Sequence, residues 1–587
     1  MSNRQKDTLT PLDLSAYFDQ PQSKRQRQYE AVRAFIKESM PAEKIAQKFG
    51  YTPATIYALI RDARAGKIHL FPEVRLGPKG RRVSAEIRDA IIRLRKENLA
   101  SPDIRGKLSS EGTALSTKTI ERILKESGYE KLKRRTDQQR GITKQNRLIP
   151  ERAEHVNFQG LQPFSVDCPV AGVFFFIPYI VESGILPIVR KCRLPSSSMI
   201  GAEQAALAML LLKLIGNERL SHMASYDHEP ALGIFAGLNM LPKATYMGTY
   251  SCRTSEEMLM TFQKRLLQRF RHVYPEFYGN GFINLDFHAI PHFGGLSEME
   301  RVWCGSRGKA MKGANTVFAQ DSMSNVILYT RADILRREEA EEIKRFVRYW
   351  KELNQSFDET LVFDCHFTRY DVLDELTGDG VRFITLQKRS KKLIESTKQI
   401  PEKEWEKVTL PIPKRKYQQV SVYENEVMLT NCKHSFRQII VKDHGRSQPT
   451  FIIMNDRELT LKKALETYAK RWHIENKLAE LVSFFNLNAL SSPLMIRIHF
   501  DILWTMIADT LYRRFARDLR RFEHLHAPSL FKRFINMPGR VVFKDGRIQI
   551  KIRKRSHTPI LMGVEKLAHS FPVPWLNNIP LEIVWTP

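Results

Sequence analysis

Three stretches decide how this chain is read: FINLDFHAIPHFG at 282–294, LVFDCHF at 361–367 and YAKRWHIEN at 468–476. The first predicts a short buried strand, Phe282 to Phe287, with one carboxylate, Asp286, near its end. The β-rich runs Asn315 to Gln320 and Asn325 to Thr330, split by Asp-Ser-Met-Ser, predict a hairpin. Asp333 is expected to cap a charged amphipathic helix reaching Leu353, after which the second stretch predicts an apolar strand ended by Asp364. Asp321 is set aside as a competing carboxylate because it falls in the hairpin turn. Val381 to Leu386 reads as a further strand, and residues 405–454 alternate like β-structure. A helix then starts at Leu459, and Tyr468, Arg471 and Glu475 follow on it at steps of three and four. One helical face should therefore carry a phenol, a guanidinium and a carboxylate.

Three carboxylates from two strand ends and a helix suit one kind of chemistry. Displacement at a phosphodiester builds charge on both the attacking and the leaving oxygen, and two Mg²⁺ ions stabilise both. Mg²⁺ takes oxygen ligands, so Asp and Glu are the residue types expected, rather than His or Cys. Arg471, one turn before Glu475, suits a scissile or flanking phosphate.

The order strand, hairpin, helix, strand resembles the opening of a ribonuclease H-like fold. The spacing Tyr-x2-Arg-x3-Glu in YAKRWHIEN, with LDFHAIPHFG and LVFDCHF, resembles the insertion-sequence DDE transposases whose catalytic helix carries that signature. The resemblance covers roughly residues 280 to 510. It implies a catalytic triad of Asp286, Asp364 and Glu475, which are also the metal ligands. It implies Mg²⁺ as cofactor, with Mn²⁺ as a substitute, and a β-rich insertion between the second Asp and the Glu. It further implies action on transposon ends and target DNA as a homodimer or a larger synaptic complex. The family's Lys, seven positions after the Glu, is replaced here by Val482, with Lys477 nearby. Tyr468 and Arg471 become candidate DNA contacts. For Tyr468 and the tryptophans Trp405 and Trp472 both core packing and DNA contact stay open, with a core role favoured for Trp472. His288 and His292 read as supporting residues.

Outward from this centre, the composition agrees with a polyanion partner. The chain has 587 residues, 93 Lys plus Arg against 64 Asp plus Glu, and a net charge of +29. That much positive charge favours nucleic acid or an acidic surface without choosing between them. Six scattered cysteines form no CxxC pair, which disfavours a zinc site or a disulfide framework. The N-terminus lacks an apolar signal, and the most apolar stretch, 170–189, is interrupted by Pro178, Glu182 and Pro187. No membrane partner is expected, and the site of action is read as the bacterial cytoplasm, at the nucleoid.

Residues 27–70 and 84–140 each read as three short helices, the pattern of a helix-turn-helix module. In the first, Gly50 breaks the chain and Pro53 opens the helix expected to enter the groove, with Thr52, Thr55, Tyr57 and Arg61 as candidate DNA contacts. Lys118 and Arg122 are the candidates in the second. The basic linker between them, 71–83, adds Lys79, Arg81 and Arg82.

The expected architecture is a multidomain α/β protein: all-α helix-turn-helix modules, then a ribonuclease H-like core with a β-rich insertion. Its parts are a flexible tail (1–26), the two modules with their linker and a mainly helical region (141–275) in which Asp167 is a polar cap. Then come the first part of the core (276–400), the insertion (401–456), the catalytic-helix segment (457–515) and a C-terminal basic helix with a small β region (516–587). The cations Arg513, Arg514, Arg517, Arg520 and Arg521 suit either DNA, a second protomer or a solvated face. Two rivals to a transposase stand on the same residues: a nuclease of the same fold without strand transfer, and a transposase-derived DNA-binding regulator.

Overall fold

The computed structural model describes residues 18–71, 83–97, 99–130, 132, 152–158, 161–217, 225–226, 229–293, 299–332, 334–410, 418–489 and 494–587. The expectations for Lys79, Arg81, Arg82 and Asp333 fall outside these residues. Two compact units are present, 1–147 and 148–587.

The first unit holds two groups of three helices, each with its own core. In one, α1 (Lys24–Ile36), α2 (Ala42–Phe49) and α3 (Pro53–Arg64) bury Val32, Ile45, Phe49, Ile56 and Ile60. Gly50 ends α2 at φ 67°, a left-handed conformation that glycine adopts without steric cost. In the other, α4 (Ala85–Lys96), α5 (Ser101–Ser110) and α6 (Thr117–Glu126) bury Ile91, Ile104, Ile120 and Ile123.

The second unit starts with a short strand, β1 (Phe164–Cys168), and a set of helices that includes α7 (Ala202–Leu214) and α8 (Glu256–Val273). Next come β2 (Phe282–Pro291), β3 (Arg301–Cys304), β4 (Lys309–Asp321), β5 (Ile327–Arg331), α9 (Glu339–Asn354) and β6 (Thr360–Val362). They lead into α10 (Tyr370–Gly378), β7 (Arg382–Leu386), β8 (Glu406–Thr409), β9 (Gln419–Met428), β10 (Ser435–Lys442) and β11 (Thr450–Met454). Three helices, α11 (Leu461–Lys470), α12 (Trp472–Ser483) and α13 (Met495–Asp518), precede β12 (Gly539–Lys544), β13 (Arg547–Arg553), β14 (Phe571–Val573) and β15 (Ile579–Thr586).

One mixed sheet of ten strands dominates, in the order β3-β4-β2-β6-β7-β11-β10-β9-β8, with β5 also on β4. β2 runs antiparallel to β4 and parallel to β6, and β6 runs parallel to β7. The expected order of strand, hairpin, helix and strand is therefore what the chain forms, although β2 continues to Pro291 and puts Asp286 in mid-strand. The β-rich stretch 405–454 is not a separate layer. Its strands extend the same sheet from β7, antiparallel from β11 to β8. α11 covers one face of this extension, with Ala464 and Leu465 against Ile384, Val422 and Ile439.

The segments 141–275 and 516–587 do not form separate bodies. β1 pairs with β12 at the edge of a second sheet, ordered β1-β12-β13-β15-β14, so the two ends of the unit close on each other. Asp167 lies exposed on β1, paired with Arg540 at 2.7 Å, and caps no helix. Close packing there requires Gly172, since a Cβ at this position would lie 2.3 Å from the Ile535 carbonyl oxygen. Among the described residues no single helix is long and apolar enough to cross a membrane, and the bent apolar pair Ala171–Ser183 and Ile185–Lys191 is folded into the core.

The axis of the unit is α13, which is buried along most of its 24 residues. It carries a buried His499 beside β5, whose Nε2 has no hydrogen-bond partner. Burial pushes this imidazole down to about 4, with Glu256 opposing and Arg331 reinforcing the shift. The unfolded chain binds the proton more readily than the native one, so stability is complete above the ordinary value of about 6.5 and is lost as pH falls toward 4. Acid melting curves should show this as a loss of about 3 kcal/mol between those limits. His499→Leu is expected to flatten that part of the curve, and an equally steep curve would refute the assignment.

Candidate active site

Asp286 and Asp364 come together because their strands are parallel neighbours. Asn284 of β2 pairs with Val362 of β6, and each aspartate lies two residues beyond its partner of that pair. The loop after β6 is held firmly. Its Asp364 carbonyl accepts from the Thr385 hydroxyl at 3.2 Å, and its Oδ1 accepts from the His366 backbone N–H at 2.8 Å. The Phe287 ring, next to Asp286, stacks on Phe367 with centroids 4.0 Å apart. Strand and loop are thus locked by an aromatic pair that flanks both carboxylates.

The third carboxylate arrives on α12, which packs its buried Ile474, Leu478 and Leu481 against the sheet. The predicted single helix is broken at Arg471, between α11 and α12. Arg471 keeps helical dihedrals there and lies between two acids, 15% exposed. Its Nη2 lies 2.5 Å from Glu475 Oε1, and its Nη1 lies 3.6 Å from Asp286 Oδ2. Arg471 was expected to face a phosphate; here it is the countercharge of the carboxylates. Burial alone would lower its guanidinium, but Tyr468, Asp286, Glu475 and Asp364 outweigh that and raise it.

Burial also acts on Asp286. Desolvation pushes its carboxyl up to about 7; Arg471 opposes the rise, and the charges of Asp364 and Glu475 add to it. Among the described residues no three acidic, His or Cys side chains stand close enough to grip a metal. The donor set nevertheless consists only of carboxylate oxygens, the chemistry Mg²⁺ or Mn²⁺ requires. Arg471 occupies the place between them.

The other expected residues are placed as follows. Tyr468 is largely enclosed against the core under the sheet extension, and burial raises its phenol. Trp472 is 43% exposed, contrary to the core role favoured for it. It borders a cleft of about 710 Å³ with Phe277, Asn476 and Arg517. Trp405 packs on Tyr423 under the Lys442 ammonium, at 4.0 Å. His288 pairs with Asn488 at 2.7 Å and burial lowers its imidazole, while His292 is buried with neither ring nitrogen bonded. Asn488 was missed by the sequence reading, since it lies 200 positions from the residue it holds.

In the first unit, Thr52 is engaged as the N-cap of α3, accepting from the Thr55 N–H, and the two hydroxyls also meet at 2.7 Å. Tyr57 is 58% exposed. Arg61 and Arg122 are exposed beside Asp62 and Glu126, and Lys118 is exposed on α6.

Lys477 does not point toward the carboxylates. It is buried, 2.9 Å from Glu480 and 2.8 Å from Asp509. Burial works against a charged Glu480, yet Lys477, His526 and Arg513 hold its carboxyl well below the usual range. Asp509, fully buried, is raised by desolvation. Arg513 and Arg514, read as part of a separate basic helix, belong to the end of α13 and bond Glu480 and Asp518 instead.

A centre of carboxylates on adjacent parallel strands and a flanking helix is suited to phosphoryl transfer at divalent metal. The family comparison agrees: residues 295–511 match the family described as Transposase DDE domain, a span that includes Asp364 and Glu475 and begins just after Asp286. The chain carries a DDE transposase domain and is a DNA transposase. No curated protein matches it. Among solved structures it is similar to a piggyBac transposase synaptic complex with hairpin DNA, at 10% identity and a TM-score of 0.33, over 64% of this chain and 82% of that one. It is also similar to a Mos1 transposase paired-end complex with left transposon end, at 10% identity and 0.13, over 62% and 77%.

Lys477 gives a direct test of how the site is supported. Lys477→Ala leaves the buried Asp509 without its ion-pair partner and Glu480 with only Arg513 and His526, which should cost about 3–5 kcal/mol in thermal or denaturant unfolding. A variant as stable as wild type would mean that Lys477 is not the structural cation of this region.

Proposed function

We propose that this transposase binds the terminal repeats of an insertion sequence through its two N-terminal helical groups, acting as helix-turn-helix modules. It cuts and joins DNA with Asp286, Asp364 and Glu475 on a ribonuclease H-like core. The observation that carries the reading is the contact of one guanidinium, Arg471, with both Asp286 and Glu475, while the β2–β6 register brings Asp364 alongside. Residues far apart in sequence meet around one charge in the region that matches the transposase domain.

In this reading Asp286, Asp364 and Glu475 hold Mg²⁺, with Mn²⁺ as a substitute. Bound there, a metal pair supplies charge stabilisation to the attacking and leaving oxygens. The protein's own part is positional. The Phe287–Phe367 stack and the Thr385 hydrogen bond fix the two aspartates, and the buried Ile474 face of α12 fixes Glu475. Arg471 neutralises the centre before metal arrives and is then free to pair with a phosphate. A water oxygen attacks phosphorus in line and the 3′ oxygen leaves, giving a 3′-hydroxyl and a 5′-phosphate. That hydroxyl next attacks a phosphodiester of target DNA, displacing its 3′ oxygen in turn.

In the N-terminal groups Tyr57, Arg61, Lys118 and Arg122 are the exposed candidates for groove and phosphate contact. Two protomers or more act together, one on each element end, in the bacterial cytoplasm at the nucleoid.

The test is a Mg²⁺-dependent assay on DNA bearing the element ends. Asp286→Ala, Asp364→Ala and Glu475→Ala are each expected to lose cleavage by about 10³-fold or more while binding the ends like wild type. One of the three cutting at wild-type rate would remove that residue from the centre. Joining of the freed 3′ end to a second duplex separates a transposase from a nuclease.

A further inference from the structure

The C-terminal sheet has a face that the strand transfer centre does not use. On β12 and β13 the alternation is complete: Val541, Phe543, Ile548, Ile550 and Ile552 are buried beneath the sheet. The outward positions are Arg540, Val542 and Lys544 on one strand and Arg547, Gln549, Lys551 and Arg553 on the other. Register places Arg540 opposite Lys551 and Lys544 opposite Arg547. Like charges directly opposite on one face of an antiparallel pair repel. The buried face fixes this register, so the chain cannot slide to relieve the repulsion.

Acidic residues nearby do little to cancel it. Asp167 on β1 pairs with Arg540. Glu582 on β15 accepts from the Gln549 amide at 2.6 Å. Among the described residues Lys544, Arg547, Lys551 and Arg553 form no ion pair, and all four lie on the same side of one hairpin. The outward side chains of β12 and β13 include no aromatic ring that could stack on a base.

We propose that this face is a second DNA-binding surface, which takes the phosphate backbone of duplex DNA without reading its sequence. The proposal rests on the reading of the chain as a DNA transposase. Charge complementarity chooses the occupant, because four uncompensated cations on a broad sheet face match the regular anionic surface of a duplex. The surface lies outside the matched transposase domain. It gives the protein a hold on flanking or target DNA in addition to the N-terminal groups.

The experiment uses the full chain and a duplex that lacks any element sequence, with binding followed by fluorescence anisotropy over a NaCl series. Each phosphate contact contributes about 0.9 to the slope of log K against log salt. The combined variant Lys544→Gln, Arg547→Gln, Lys551→Gln, Arg553→Gln should lower that slope by roughly 3 to 4. Its melting temperature should equal or exceed that of wild type, because the repulsion is gone. A second variant, Lys544→Glu with Lys551→Glu, turns both facing pairs into opposite charges. It should melt higher than wild type and also bind with a reduced slope. An unchanged slope in these folded variants would overturn the proposal, and pairing with an acidic protein would then be the better account of the face. Absence of cleavage by the wild-type protein would count against the transposition chemistry alone, since the salt slope does not depend on cutting.

Discussion

The arrangement of the second unit turns on a carboxylate kept out of water. Asp286 sits in mid-strand on an inner strand of a ten-stranded sheet, where desolvation disfavours its charge, and Asp364 and Glu475 make that worse. Arg471 compensates, reaching Glu475 one helical turn on and Asp286 on the neighbouring strand. Three carboxylates around one guanidinium form the kind of perturbed charge cluster that marks candidate functional sites.

The surrounding structure holds such a centre in shape. Below α12, Lys477 and Arg513 balance Glu480 and Asp509 in a closed set of buried charges that ties α12 to α13 and to the segment at Ala527. The aromatic stack of Phe287 on Phe367 ties the two aspartate-bearing segments to each other. The antiparallel extension from β7 to β8, under α11, anchors the approach to the broken helix. The C-terminal sheet closes on β1, so the unit is finished by the pairing of its first strand with one of its last. Each of these supports spans a long sequence distance.

Much of this organisation could be read from local pattern. Alternation and apolar runs located β2, the β4–β5 hairpin, β6 and β7, because burial of one or both faces of a strand leaves a period that a single chain displays. Turn and breaker residues marked the helices of the first unit: Gly50 does end α2, and Pro53 does open α3. The carboxylates stood out because they end apolar runs or sit at helical spacing from an arginine. The misreadings share one cause. Trp472 was favoured for the core, and Arg471 was read as facing a phosphate. The exposure of Trp472 and the ion pairs of Arg471 depend on which distant segments lie beside α12, and no local window contains those.

The sequence by itself determined the element types, the three candidate carboxylates and the basic character of the chain, since all of these follow from side-chain chemistry and short-range period. Tertiary structure decided who meets whom. It put Asn488 on His288, made Lys477 a structural cation, joined the insertion strands to the main sheet and stacked cation on cation along β12 and β13. Such pairings depend on strand register and on closure between distant segments, and a chain records those only through the fold it adopts.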